Sequence, residues 1–227
     1  MIDVIYLAAG QGKRAGLGYP KQFARLGGKP IMIHGLEVLQ KIPEVSQIIV
    51  VRPMITVESL QDWRVEEVVL EYGINKAVFV EGGRTRQESV RRGLEMVATD
   101  YVLIAEAVRP FITEDFVKRI IQLPGNCVTP WMSSISTVLS AAGEPMDRER
   151  IGEVQMPQKY FTNILTAAHY KAEVANNTYT DDMALVIKEI KVRPILMAGL
   201  EENIKITTPL DLVIAEAIYN AGHCDRE

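Results

Sequence analysis

Cysteine is almost missing: Cys127 and Cys224 stand far apart with no C-x-x-C spacing. A disulfide framework and a thiolate zinc site are therefore excluded, and the usage fits a reducing compartment. No run of about 18 apolar residues occurs anywhere, and the opening MIDVIYLAAG carries no basic leader, so neither a membrane span nor a signal segment is expected and a cytoplasmic protein is. Net positive charge is lacking as well. At a formal −4 the chain has no general attraction for nucleic acid or an anionic membrane, so any basic cluster has to be judged as a local site.

What is present is ordinary for a globular protein: 227 residues, 48% hydrophobic and 24% charged. That length buries a sizeable core and predicts a single domain over 1–227. Short β-branched runs at 4–8, 48–51, 77–80, 101–105 and 193–199 alternate with helical periodicity at 30–41, 86–98 and 114–122. The runs are apolar on successive positions, as parallel strands covered on both faces require. The class predicted is α/β: a mostly parallel, Rossmann-like sheet with helices on both faces. Residues 126–157 break the rhythm with β-like runs around a Gly-Glu-Pro turn and predict a projecting β-arm. At the other end Thr208, Pro209 and Asp211 suit a helix start, with Leu212, Val213, Ala215 and Ile218 expected to pack.

The stretch LAAGQGKRAGLGYPKQF, residues 7–23, follows the first predicted strand. Glycines at the carboxyl end of a strand commonly present backbone N–H groups to phosphate. A Walker loop fails here, because no glycine is followed by Lys and then Ser or Thr. Gly10 to Ala15 matches the dinucleotide fingerprint literally, but Gly16, Gly18 and Pro20 prevent the long helix that design needs. Lys13, Arg14 and Lys21 around the glycines suit a triphosphate attacked at its α-phosphorus, and nucleotidyl transfer leads.

Five ordered blocks then carry a resemblance over essentially the whole chain: the glycine loop, EGGRTRQESVRRGL (81–94), AEAVRPFIT (105–113), DRERIGEVQMPQKYF (147–161), and TDD (180–182) with ENIKITTPLDL (202–212). They resemble the cytidylyltransferases of sugar-alcohol phosphates, the 2-C-methyl-D-erythritol 4-phosphate and ribitol-5-phosphate enzymes. The resemblance implies a nucleotidyltransferase sheet, a homodimer formed with the help of the arm, and magnesium-dependent transfer of CMP from CTP with release of pyrophosphate. By position it implies that Ala8, Ala9, Gly10, Gly12 and Lys13 cradle the triphosphate, that Arg14 and Lys21 neutralise charge at the α-phosphate, and that Gly82, Arg86 and Ser89 hold base and ribose. Arg109, Arg148, Thr207 and Lys205 would face the acceptor's phosphate, with Lys205 near the reacting centre and Arg148 reaching across the dimer. No nucleophilic side chain is needed, and all three histidines fall outside the blocks as structural or surface residues.

The chain departs from the relatives on the acceptor side. Ala105-Glu106 replaces their His-Asp, Pro130-Trp131-Met132-Ser133-Ser134 replaces a segment like PVRDT, and Met156 replaces a threonine. Glu106 becomes the expected magnesium ligand with Glu202 as second candidate, although the extra methylene strains a site that wants oxygens near 2.1 Å. AVRPFIT and NIKITTPLDL read closer to the ribitol branch. A catalytically impaired CTP-binding relative and, last, an NAD-dependent oxidoreductase remain alternatives.

Overall fold

A computed structural model describes residues 1–10, 19–54 and 64–222. β1 (Ile2–Leu7) opens the chain, and a 3-10 turn at Lys21–Phe23 leads to β2 (Arg25–Leu26), β3 (Lys29–Pro30), α1 (Ile31–Lys41) and β4 (Val45–Arg52). The alternation continues through α2 (Val65–Glu71), β5 (Ala77–Glu81), α3 (Arg86–Leu94), β6 (Tyr101–Glu106) and α4 (Glu114–Gln122). Then come β7 (Cys127–Ser133), β8 (Val138–Leu139), β9 (Pro145–Met146), β10 (Gly152–Val154) and β11 (Gln158–Phe161). α5 (Thr162–Val174), α6 (Asp182–Ile190), β12 (Ile195–Ala198) and α7 (Pro209–Asn220) complete the order. Among the described residues no helix is long and apolar enough to cross a membrane.

The main sheet runs β10-β7-β11-β6-β1-β4-β5, with β12 added to β7. β1 lies parallel between β4 and β6, and β5 is parallel to β4. Alternation along these strands decides the faces. Val4, Tyr6, Ile48 and Val50 pack with Leu36 and Phe116 of α1 and α4, whereas Ile5, Ile49 and Val51 pack with Val90, Leu165 and Val186 of α3, α5 and α6. Both faces are covered, which is why each strand reads as an unbroken apolar run. The α/β class and mostly parallel sheet are as expected.

β11 was not predicted; it is antiparallel to both β6 and β7. Its Lys159 is buried and donates from Nζ to the carbonyls of Ile121 (3.0 Å) and Leu123 at the carboxyl end of α4. A lysine that caps a helix inside the sheet hides the strand pattern. Helices α2, α5 and α6 were also unpredicted, and the helix expected over 86–98 stops at Leu94.

The arm is shorter than 126–157. Cys127–Pro130 are buried in the main sheet and Gln155–Pro157 are buried between β10 and β11, and the largely exposed stretch between β7 and β10, residues 134–151, carries the β8–β9 hairpin. Cys127 itself is buried, and that burial pushes its thiol up to about 11, leaving it inert at neutral pH.

α7 starts as expected, with Thr208 and Asp211 forming a reciprocal capping box and Pro209 in the first turn. Ala215 is buried, with Leu212 and Ile218 packed beside it, but Val213 lies on the outer side of the helix, 62% exposed with Leu210 and Ile214. The Asp211 carboxylate accepts from Thr207 N, Thr207 Oγ1 and Thr208 N, each at 2.7 Å. Burial would raise its pKa, but these bonds outweigh it and hold the group down at about 2. The depressed folded value means stability present above the ordinary 3.8 and lost as pH falls towards 2. The difference in melting temperature between wild type and Asp211→Asn is expected to be largest near pH 5 and to shrink steadily towards pH 2. A gap that does not depend on pH would refute the assignment.

Candidate active site

Strands β1, β4, β5 and β6 end on one edge of the sheet, at the point where the order reverses around β1, the usual place for a ligand in this architecture. Ala8 follows β1 there; its N–H donates to Val51 O (2.9 Å) and its carbonyl accepts from Gln22 Nε2 (2.8 Å). Gln22 is buried, so this bond ties the turn carrying Lys21 to the end of β1. Gly82 lies opposite, with its N–H on Arg52 O at 2.8 Å. A Cβ at Gly82 would fall 2.8 Å from Ala9 Cβ and 3.0 Å from Ser89 Oγ. Glycine is thus what lets the chain after β5 approach the chain after β1.

Ser89 Oγ donates to Thr85 O (2.9 Å) and accepts from Gly83 N (3.0 Å), shaping the turn that opens α3. Thr85 caps that helix through Glu88 N. Ala8, Ala9, Gly82 and Ser89 therefore sit together, with exposed Gly10 at the end of the described segment. Gly12, Lys13 and Arg14 lie outside the described residues. Gly82→Ala is expected to weaken CTP binding by about tenfold or more and to lower the melting temperature as well, because the added methyl crowds Ala9 and the Arg52 carbonyl. Calorimetry with CTP checks this; unchanged affinity would refute the contact.

The second half of the site is a knot of charge. Glu106, the last residue of β6, is 7% exposed. Its Oε1 is 2.8 Å from Lys205 Nζ and 3.6 Å from Arg86 Nε, and its Oε2 is 3.3 Å from Arg109 Nε. Burial would raise the carboxyl's pKa, but Lys205, Arg86 and Arg109 hold it below the ordinary range, so it stays charged. Arg109 Nη1 also donates to Asn203 O (2.6 Å), and Ile206 N donates to Val108 O (2.9 Å). These two bonds hold the 203–207 segment over the end of β6. Arg86 accordingly keeps company with Lys205 and Arg109, in addition to starting the helix that carries Ser89.

The other expected residues are placed differently. Arg148 is exposed on a 3-10 turn of the arm, and Thr207 donates its hydroxyl to Asp211. Glu202 is half-buried beside Asn203. Magnesium fits this donor set poorly. Both oxygens of Glu106 are engaged by cations, and the described residues include no group of three or more His, Cys, Asp or Glu arranged to hold a metal. A dication that demands several oxygen ligands would have to displace three cations from one carboxylate.

Sequence reasoning missed Gln155 and Asn203. Gln155 donates from Nε2 to Leu200 O (2.8 Å) and accepts from Leu200 N (3.0 Å), and Asn203 Nδ2 donates to Met156 O (2.7 Å). Both are buried amides inside the quoted blocks, and only their buried polar character could have singled them out. Asp182 was seen only as part of TDD. Its carboxylate is 2.6 Å from Arg86 Nη1, and His169, expected to be structural or surface, is buried against its other oxygen at 3.1 Å.

Comparison with known proteins gives the family. A family model described as 2-C-methyl-D-erythritol 4-phosphate cytidylyltransferase matches residues 2–221. An enzyme of that name from Geotalea uraniireducens is 37% identical over 237 residues, taking in 99% of each chain. Another from Alkaliphilus metalliredigens is 33% identical over 229 residues, 96% of this chain and 93% of that one. The crystal structure of the Thermus thermophilus enzyme superposes with a TM-score of 0.78 at 29% identity, over 97% of this chain and 100% of that chain.

Proposed function

Given that the chain belongs to the 2-C-methyl-D-erythritol 4-phosphate cytidylyltransferase family, we propose that it transfers CMP from CTP to 2-C-methyl-D-erythritol 4-phosphate and releases pyrophosphate. An oxygen of the acceptor's phosphate attacks the α-phosphorus, a new P–O bond forms, and the bond to the β-phosphate's bridging oxygen breaks. Attack of one anion on another needs alignment and positive charge set in place beforehand more than it needs a nucleophilic side chain. The observation that carries the reading is the convergence of Arg86 on α3, Arg109 on the turn after β6 and Lys205 ahead of α7 on Glu106, at the end of β6 that pairs with β1.

On this reading the loop of Ala8 to Lys13 takes the triphosphate, and Lys21 and Arg14 neutralise the α-phosphate. Arg109 and Lys205 face the acceptor. The names carried by the relatives favour methylerythritol phosphate over ribitol phosphate, the acceptor towards which a few side chains had pointed. Magnesium, expected from the resemblance, arrives with the triphosphate, whose oxygens are its hard ligands, and has no seat of its own on Glu106 and Glu202. The arm at 134–151, with Arg148, is the part offered to a second copy in a homodimer.

Incubation with CTP, a magnesium salt and either polyol phosphate, with pyrophosphate followed over time, tests the proposal. Rapid release with 2-C-methyl-D-erythritol 4-phosphate and little with D-ribitol 5-phosphate is expected. Release with ribitol phosphate alone would move the acceptor to the other branch. CTP binding without release would leave the impaired relative as the better description.

A further inference from the structure

Arg86 is gripped from behind. Its Nη1 lies 2.6 Å from Asp182 Oδ2, much closer than the 3.6 Å contact of its Nε with Glu106. The Asp182 bond therefore sets the direction of the guanidinium, and Glu106 is where that direction leads. Asp182 opens α6 and is 1% exposed, and its remaining oxygen lies 3.1 Å from Nε2 of His169, itself 2% exposed on α5. An ionised carboxylate only accepts, so the imidazole presents Nε2–H to it. Burial would raise the Asp182 pKa, but Arg86 and His169 keep it below the ordinary range. The carboxylate is thus held on both oxygens by groups from two different helices, and it cannot turn without losing one of them.

Arg86 Nη2 is buried and has no hydrogen-bond partner among the described residues. A buried guanidinium nitrogen left without a partner is costly, so Arg86 is held where the Asp182 bond puts it at some expense.

From this arrangement we infer that His169 and Asp182 are positioning residues of the reaction, acting through Arg86 to hold its guanidinium towards Glu106 at the charged end of the cleft. The inference rests on the cytidylyl-transfer reading of the site. His169 touches no substrate; it fixes the carboxylate that fixes the arginine. A purely structural ion pair would have the same distances, so the test must separate the two roles.

The experiment is a double-mutant cycle on the full-length protein. His169→Leu, which keeps bulk and removes the donor, is expected to lower kcat about tenfold with KM for CTP within about twofold, and His169→Gln, whose amide N–H replaces Nε2–H, to recover most of it. In an Arg86→Ala background, His169→Leu is expected to cost nothing further. Equal losses in both backgrounds, or failure of His169→Gln to recover, would assign His169 to stability alone and overturn the inference. Should the wild type show no turnover, the transfer reading fails by itself. Exchange of the Arg86 Nε proton, followed by NMR, then decides: slow in wild type and fast in His169→Leu supports positioning, and equal rates sink it.

Discussion

Lys205→Ala is expected to lower kcat by about a hundredfold or more with little change in melting temperature. Removing one fixed charge aimed at a reacting phosphate costs roughly 3 kcal/mol of transition-state stabilisation. The fold is insulated from the change. The Lys205 side chain is 39% exposed, Glu106 keeps Arg86 and Arg109, and Ile206 N still holds the segment to Val108 O. Steady-state pyrophosphate release and thermal unfolding measure the two halves of the prediction. A kcat within threefold of wild type would remove Lys205 from the reacting centre. Lys21→Ala is expected to behave alike, since Gln22 ties its turn to the end of β1.

Glu106→Ala has the opposite profile: a large loss of stability as well as of turnover. It strips the counter-charge from Arg86, Arg109 and Lys205 at a position only 7% exposed. Removing one partner of a buried ion pair typically costs about 3–5 kcal/mol, because the charges left behind remain desolvated. Of the three cations left behind, Arg109 at 11% side-chain exposure is the one that stays desolvated, and for a chain of this length the loss corresponds to a fall in melting temperature on the order of 10 °C. Glu106→Asp keeps the charge and pulls it back by one methylene, so a smaller fall is expected. Magnesium added without CTP is expected to leave the wild-type melting temperature unchanged; a clear rise would make Glu106 a metal ligand instead of the centre of an ion-pair network. Glu106→Ala that melts like wild type would remove the network itself.

The two halves of the site differ in how far the sequence exposes them. The side proposed for the nucleotide is contiguous: a strand, then glycines and basic residues within the 17 positions 7–23, followed by a second glycine turn at 82–83, each with a local reason to be there. The charged side joins residues 86, 106, 109, 182 and 205, and nothing in the spacing of those positions says that one carboxylate would gather three cations while a second one anchors Arg86. The expectation of a metal ligand at Glu106 rested on its place in a block, which says nothing of the three cations around it. His169 is buried, as a structural histidine would be, and its place behind Asp182 has no trace in the sequence.

The sequence by itself determined the α/β class, the apolar strands and the capping of α7, because periodicity and turn chemistry act over a few residues and leave a local trace. Only the tertiary structure decided that β11 enters the sheet antiparallel beside β6, that the arm begins at 134 and not 126, and that Glu106 spends its oxygens on Lys205 and Arg109. Burial and Coulomb attraction depend on distance in space, and strand order is what brings these distant positions within 4 Å of each other.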